Sequence, residues 1–403
     1  MTAEGVWVTG IGAVSAAGDG ARALGDLLLQ GRSGVRPVPE LGCRPAGLAE
    51  APRRHSAGKH LDRSAGFFLH AAEEAWLDAG LDLGSVNARR CVLLEGSSLG
   101  PMADLLTGHA HQLSHPGRSR ALPSNVVRYM SGAGGAAFAQ LKKIRGAVFH
   151  LSAGSVSAAC AISEAYGKIL SGEADVAVAG GTECPLHTDV LASFGMAGIL
   201  GSFDPDDAPC RPFDRRRSGT VLGEGSGVLI LESPKHARSR GATPRAVITG
   251  VGVTCESFSM TSPDPTGAGV AVAARDALGA THPAEIGWVK THGTGTRLND
   301  AAECHGLSTV FGELLPELPL TSMKPAVGHC LGASAAVEAV GTVLALGMGL
   351  VPPTLGYEEP DTELPIHRIA RSPSPARGDA VLLLAESFGG RCVALLLRSA
   401  AYA

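Results

Sequence analysis

Residues 151–183 read LSAGSVSAACAISEAYGKILSGEADVAVAGGTE. A turn of small residues, Ser152 to Ser155, leads into an Ala-rich segment of helical composition. Gly172 stops that segment before the apolar run 176–179, so the stretch predicts turn, helix, strand. A side chain at the start of such a helix sits beside unpaired backbone N–H groups and the positive end of the helix dipole. The turn can therefore face an anion or an oxyanion, and Ser155 is the residue placed there.

Working outward, 403 residues are enough for a large core, arranged as two similar halves or one large α/β unit. Hydrophobic residues at 45%, charged residues at 18%, 54 glycines and 4% aromatics fit a turn-rich α/β protein with tight helix–sheet packing and exclude a disordered chain. A formal net charge of −4 gives no reason to expect nucleic-acid binding. The densest basic run, Arg215, Arg216 and Arg217, reads as a solvated loop or as a landing point for an acidic carrier protein. The start MTAEGVWVTG lacks signal-peptide order, and no apolar run is expected to reach the roughly 18 residues that span a bilayer, so a cytoplasmic location without membrane attachment is expected. The nine cysteines show no metal-ligand spacing, so reduced thiols are expected and no metal site.

The run VWVTGIGAV at 6–14 reads as a strand turning at its glycines, and AVITGVGVT at 246–254 repeats it. CVLLEGSSLG at 91–100 and GWVKTHGTGT at 287–296 form a second echo, so the chain divides into related halves, 1–245 and 246–403. Neither glycine pair, Gly10/Gly12 or Gly250/Gly252, completes a dinucleotide fingerprint. Residues 24–29 and 67–77 have helical apolar spacing, with a Pro- and Gly-rich connection at 35–52. Residues 101–145 read as an irregular polar stretch. His109, His111 and His115 lie close together in it, but no nearby carboxylate or cysteine completes a metal set.

Four further phrases settle the family resemblance: CRPFDRRRSGTVLGEGSGVLILE at 210–232, HGTGT at 292–296, SMKPAVGHCLGAS at 322–334 and ESFGGR at 386–391. Together with the turn and helix quoted first, they resemble the β-ketoacyl-ACP synthases over the whole chain. The resemblance implies the α/β thiolase fold, duplicated into a five-layered αβαβα architecture. It also implies that Nε2–H groups of His292 and His329 meet the thioester oxygen, that Lys324 pairs with Glu303, and that Thr294 and Asp300 support the site. The backbone N–H groups of Ser155 and Phe388 would form a second oxyanion hole, with the Phe388 ring as a gate. No cofactor is implied beyond the phosphopantetheine of an acyl carrier protein, and the expected assembly is a homodimer or a heterodimer with an active ketosynthase.

The chain departs from the family twice. Counting back from Gly172 puts Ser155 where the family has its reactive cysteine. Cys160 lies five positions later, in a register fixed by Glu164, Ala165 and Tyr166, and reads as a buried packing residue. The family's GFGG is SFGG here, with Ser387 for the first glycine. A cysteine at a helix N-terminus starts near pKa 8.5 and is readily activated, whereas serine needs a positioned base. Condensation is therefore expected to be weak, with decarboxylation intact. The chain resembles the serine-bearing ketosynthase-like proteins of polyketide β-branching cassettes, and that resemblance implies malonyl-ACP decarboxylation to acetyl-ACP. The alternatives are a non-catalytic subunit resembling a chain-length factor, and a Ser-dependent acyltransferase.

Overall fold

The computed structural model describes residues 5–50, 58–115, 123–203 and 207–403. Residues 1–4, 51–52 and 116–122, which belong to stretches interpreted above, lie outside them. Ten strands form one continuous path: β1 Val6–Ser15, β2 Cys91–Gly96, β3 Val148–Leu151, β4 Val176–Glu183, β5 Gly225–Glu232, β6 Ala246–Cys255, β7 Ile286–Lys290, β8 Leu320–Thr321, β9 Ala380–Ser387 and β10 Arg391–Ser399. A two-residue strand, Gly18–Asp19, adds to β1.

The first five strands lie in the order β1-β5-β4-β2-β3 and the second five in the order β6-β10-β9-β7-β8. In each half the first-named two pairings are antiparallel and the last two parallel. The two sequence echoes thus occupy equivalent places: β1 with β6, and β2 with β7. The halves meet through a short antiparallel contact, Val6↔Ile248, Trp7↔Val247 and Val8↔Ala246.

Both faces of each half-sheet are covered, which is why its strands read as near-continuous apolar runs. Successive side chains alternate between two cores. Val92, Leu94, Ala177, Ala179, Leu229, Leu231, Leu383 and Leu395 join one cluster around the central helices α2 (Ser157–Leu170) and α5 (Ser334–Met348). The alternate residues of the first half pack under α1 (Arg63–Asp78), and those of the second under α3 (Ala268–Leu278) and α4 (Arg297–Phe311). Helix, half-sheet, helix pair, half-sheet, helix pair are the five layers of the thiolase fold.

The glycines of β1 and β6 do not turn the chain. The strands continue through them, with a register irregularity before Gly10 and before Gly250, and a Cβ at Gly10 or Gly12 would lie 2.2 or 2.0 Å from the carbonyl oxygens of Ala75 or Ala71 in α1. At Gly250 and Gly252 it would lie 1.9 and 2.0 Å from those of Ala277 and Ala273 in α3. These glycines let a helix backbone lie directly on a strand.

Two other expectations are corrected. The stretch 101–145 contains helices Met102–Ser114, Asn125–Arg128 and Ala133–Leu141. The first has no buried residue, so it lacks the apolar stripe by which a helix is recognised in sequence. His111 within it and His115, the residue that caps its end, stack at 4.3 Å between ring centroids. An apolar run does reach spanning length: Leu331–Met348 is 18 residues with a mean hydropathy of 1.6, and it is 83% buried as a core element of the protein.

The close packing of the central layer gives a stability prediction. A Cβ at Gly227 in β5 would lie 2.4 Å from backbone atoms of Ala336 and Val337 in α5, whereas at Gly167 in α2 it would meet nothing within 4 Å. Gly227→Ala is expected to lower stability by about 1–3 kcal/mol in urea titration, and Gly167→Ala to raise it by about 0.5–1 kcal/mol.

Candidate active site

The turn between β3 and α2 is closed by Ser157, whose Oγ accepts from the Ala153 N–H at 2.9 Å and donates to the Gly154 carbonyl at 2.6 Å. Gly154 takes a left-handed conformation, φ 66°. Ser155 follows it at the crest of the turn, facing a cavity of about 660 Å³. Its Oγ lies 3.1 Å from Nε2 of His329.

His329 is held from three sides. Its N–H donates to the Val221 carbonyl at 2.7 Å and its own carbonyl accepts from Gly223 at 2.9 Å. Its Nδ1 lies 2.8 Å from Oγ of Ser334, the first residue of α5. His292 leaves the end of β7, and its ring stands 5.5 Å from that of His329 at an interplanar angle of 83°. Glu303 in α4 fixes the backbone there by accepting the N–H groups of His292 and, at 2.8 Å, Gly293. Asp300, one turn earlier, accepts from Gly295 at 3.1 Å and Phe213 at 2.8 Å, joining the HGTGT loop to the 210–217 segment. Thr294 Oγ1 is 2.9 Å from Thr296 Oγ1.

Behind His292 lies a buried ion group. Lys324 Nζ is 3.4 Å from Nδ1 of His292, donates to the His292 carbonyl, and is 2.9 Å from Oε1 of Glu338 in α5. Lys290, at the end of β7, reaches the other oxygen of Glu338. Because Lys324 can only donate, the neutral His292 ring carries its proton on Nε2, the nitrogen facing away from Lys324. Burial and then the charge of Lys324 push both imidazoles well below the ordinary histidine range, so both are neutral at pH 7. Burial would raise the Glu338 carboxyl, but the two ammonium groups outweigh it and hold the carboxyl low. Lys290 is pulled down by burial to about 8, and Glu303 is pushed up by burial to about 7.

Ser155, His292, His329, Thr294 and Phe388 all line the cavity, whereas Lys324, Glu303 and Asp300 stand behind the wall. Phe388 is 48% exposed on that wall, and the hydroxyl of Ser387 ties its loop to the Ser155 turn by donating to the Ala153 carbonyl at 3.0 Å. Cys160 is half-buried against the central core. The expected Lys324–Glu303 pair is not formed. Lys324 takes Glu338 as its carboxylate, because Glu303 is committed to backbone N–H groups. Arg215, Arg216 and Arg217 are not free cations either: they pair with Glu359, Glu358 and Asp361.

Sequence reasoning missed Glu338, Lys290, Ser334 and Glu386, the last a buried carboxyl on the cavity wall. A signal existed. Glu338 is the one charge in the apolar α5, Lys290 ends the apolar IGWVK, and Glu386 ends the apolar run AVLLLAE. Charges in such runs are costly unless a partner or a function holds them there.

Two family models match the chain, "Beta-ketoacyl synthase, N-terminal domain" over residues 54–237 and "Beta-ketoacyl synthase, C-terminal domain" over residues 245–358. A putative polyketide beta-ketoacyl synthase 1 of Streptomyces cyaneus is 36% identical over 97% of each chain. Among solved structures, a type II PKS acyl-carrier protein in complex with its ketosynthase bound to the hexaketide superposes with a TM-score of 0.91 at 26% identity, covering 98% of this chain and 99% of that one. The ishigamide ketosynthase/chain length factor gives 0.89 at 27% identity, with the same coverage.

Two outcomes follow from the electrostatics. Glu338→Gln leaves two buried ammonium groups without a counter-charge, and a loss of about 3–5 kcal/mol is expected in urea titration. Each histidine is neutral in the fold but takes a proton in the unfolded chain below about pH 6.5. The unfolded state then binds more protons, so stability falls as pH drops below that value, by about 1.4 kcal/mol per pH unit for each ring. The double variant His292→Gln/His329→Gln should show an acid-side stability slope shallower by that amount for each ring replaced.

Proposed function

Because the chain belongs to the β-ketoacyl synthase family, we propose that it is a ketosynthase-like malonyl-ACP decarboxylase that releases acetyl-ACP and CO2 in a polyketide β-branching cassette. The observation that carries this reading is the pair His292 and His329 on a cavity where Ser155 offers a hydroxyl in place of a thiol, with Lys324 ordering His292 from behind. The phosphopantetheine of an acyl carrier protein brings the malonyl thioester, and the thioester oxygen accepts from the Nε2–H groups of His292 and His329. Loss of CO2 leaves negative charge on that oxygen, and the two donors are already in place when it develops. Donors of this kind are commonly worth about 3 kcal/mol each in the transition state. Ser155 has no thiolate chemistry, so the enolate is protonated instead of captured by an acyl-enzyme.

A specific observation favours a second reading. The Ser155–His329–Ser334 hydrogen-bond chain has the reach of a serine nucleophile, a base and an orienting group, which would serve acyl transfer. The outer strand β3 leaves Val148 37% and Phe149 51% exposed along an open sheet edge, and this supports pairing with a second ketosynthase-like chain.

Intact mass spectrometry of malonyl-loaded carrier protein tests both. Conversion to acetyl-carrier is expected with the wild type, reduced at least about 100-fold in His292→Ala and retained in Ser155→Ala. An acyl adduct on the protein that disappears in Ser155→Ala would favour acyl transfer. No conversion, with stable pairing to an active ketosynthase, would favour the non-catalytic subunit.

A further inference from the structure

Glu386 has no part in the chemistry described so far. It is the penultimate residue of β9, directly opposite Cys392 across the β9–β10 pairing, and its neighbour Ser387 is bonded to the Ser155 turn at Ala153. The side chain is 5% exposed and lines the same cavity as Ser155, His292, His329 and Phe388. Its Oε1 is buried and has no hydrogen-bond partner among the described residues. A buried ionised carboxylate without donors costs far more than a neutral carboxyl, which can keep its own hydrogen. The groups around it act in the same direction. Burial, then the charges of Glu303, Glu256 and Asp300, raise the Glu386 carboxyl well above the usual range, with Lys324 opposing them from behind His292. A buried oxygen without a donor, set among like charges, therefore favours the protonated carboxylic acid, on the wall of a cavity where the reaction proposed above leaves a carbanion equivalent.

We propose that Glu386 is the catalytic acid that protonates the enolate carbon, an inference that rests on the decarboxylase reading. The C–C bond to the malonyl carboxylate breaks and CO2 departs with its electron pair left on the thioester enolate. The electrons of the enolate C=C then form a C–H bond to the Glu386 proton, giving the acetyl thioester and the Glu386 carboxylate. Water returns a proton to Glu386, so the net reaction consumes one proton for each CO2 released. Neutral His292 and His329 stay as oxygen donors throughout, so the division of labour is two imidazoles on oxygen and one carboxyl on carbon.

Malonyl-loaded carrier protein is incubated with wild type, Glu386→Gln and Glu386→Asp, in water and in an equal H2O/D2O mixture, and acetyl-carrier is followed by intact mass. Glu386→Gln is expected to form acetyl-carrier about 100-fold more slowly. The CH3 to CH2D ratio of its product should also differ from that of wild type, because this ratio reports the identity of the proton donor. Glu386→Asp keeps an acid of the same kind and should give an intermediate rate with the wild-type ratio. The wild-type rate should fall on the alkaline side as the carboxyl ionises, and that limb should be missing in Glu386→Gln. A wild-type rate and ratio in Glu386→Gln overturns the assignment while leaving the decarboxylase reading standing. So does a slow variant with an unchanged ratio, which marks a structural role. No acetyl-carrier from wild type overturns both, at the level of the decarboxylase reading.

Discussion

One carboxylate between two ammonium groups sets the geometry of everything in front of it. Glu338 lies in α5, Lys290 at the end of β7 and Lys324 at the start of the short helix Lys324–Val327 before His329, and all three are buried. An unpaired charge at any of these positions would be costly, so the three segments are held in one arrangement. Such a group adds little net stability over an apolar core of equal volume. Its effect is positional. Lys324 also touches Nδ1 and the carbonyl of His292, so the arrangement that satisfies the charges also fixes which nitrogen of His292 carries the proton. Glu303 and Asp300 complete the support by holding backbone N–H groups of the HGTGT loop, so the imidazole is anchored from behind at both side chain and main chain.

The same logic separates what the sequence could reveal from what it could not. The duplication was legible because strands covered on both faces are apolar at most positions, and two equivalent strands then echo each other. The glycines of β1 and β6 were misread as turns because sequence carries the absence of a side chain but not its reason. Here the reason is a helix backbone about 2 Å from where a Cβ would be. Helix Met102–Ser114 was invisible for the opposite cause, since none of its residues is fully buried and Leu106 is its one side chain packed against an apolar cluster, too little to display a stripe.

At the site, the residues on the cavity wall were legible because they fall in contiguous phrases. Their supporting partners were not. Glu338 meets Lys290 from 48 positions away, and only the packing of α5 against the second half-sheet makes them neighbours. Glu303 was assigned the wrong partner for a related reason. A carboxylate one helical turn from a loop can take either a distant ammonium or the nearby N–H groups, and the local contact leaves it no free oxygen.

The hydroxyls of Ser155 and Ser334 leave one decision open to the ligand. His292 has its tautomer imposed by Lys324, which can only donate. His329 lies between two hydroxyls, each able to donate or accept, so its proton can sit on either nitrogen. With the proton on Nδ1, Nε2 accepts from Ser155 and the chain is that of a serine nucleophile. With Ser334 donating to Nδ1, Nε2–H faces the cavity as a second oxyanion donor. On the decarboxylase reading proposed above, a thioester oxygen would bring lone pairs and no proton, so its arrival between the two rings would select the second arrangement, and the charge developing on it would strengthen the selection. On that reading Ser155 brings no thiolate to the turn, and His329 is left to the task that the thioester oxygen assigns it.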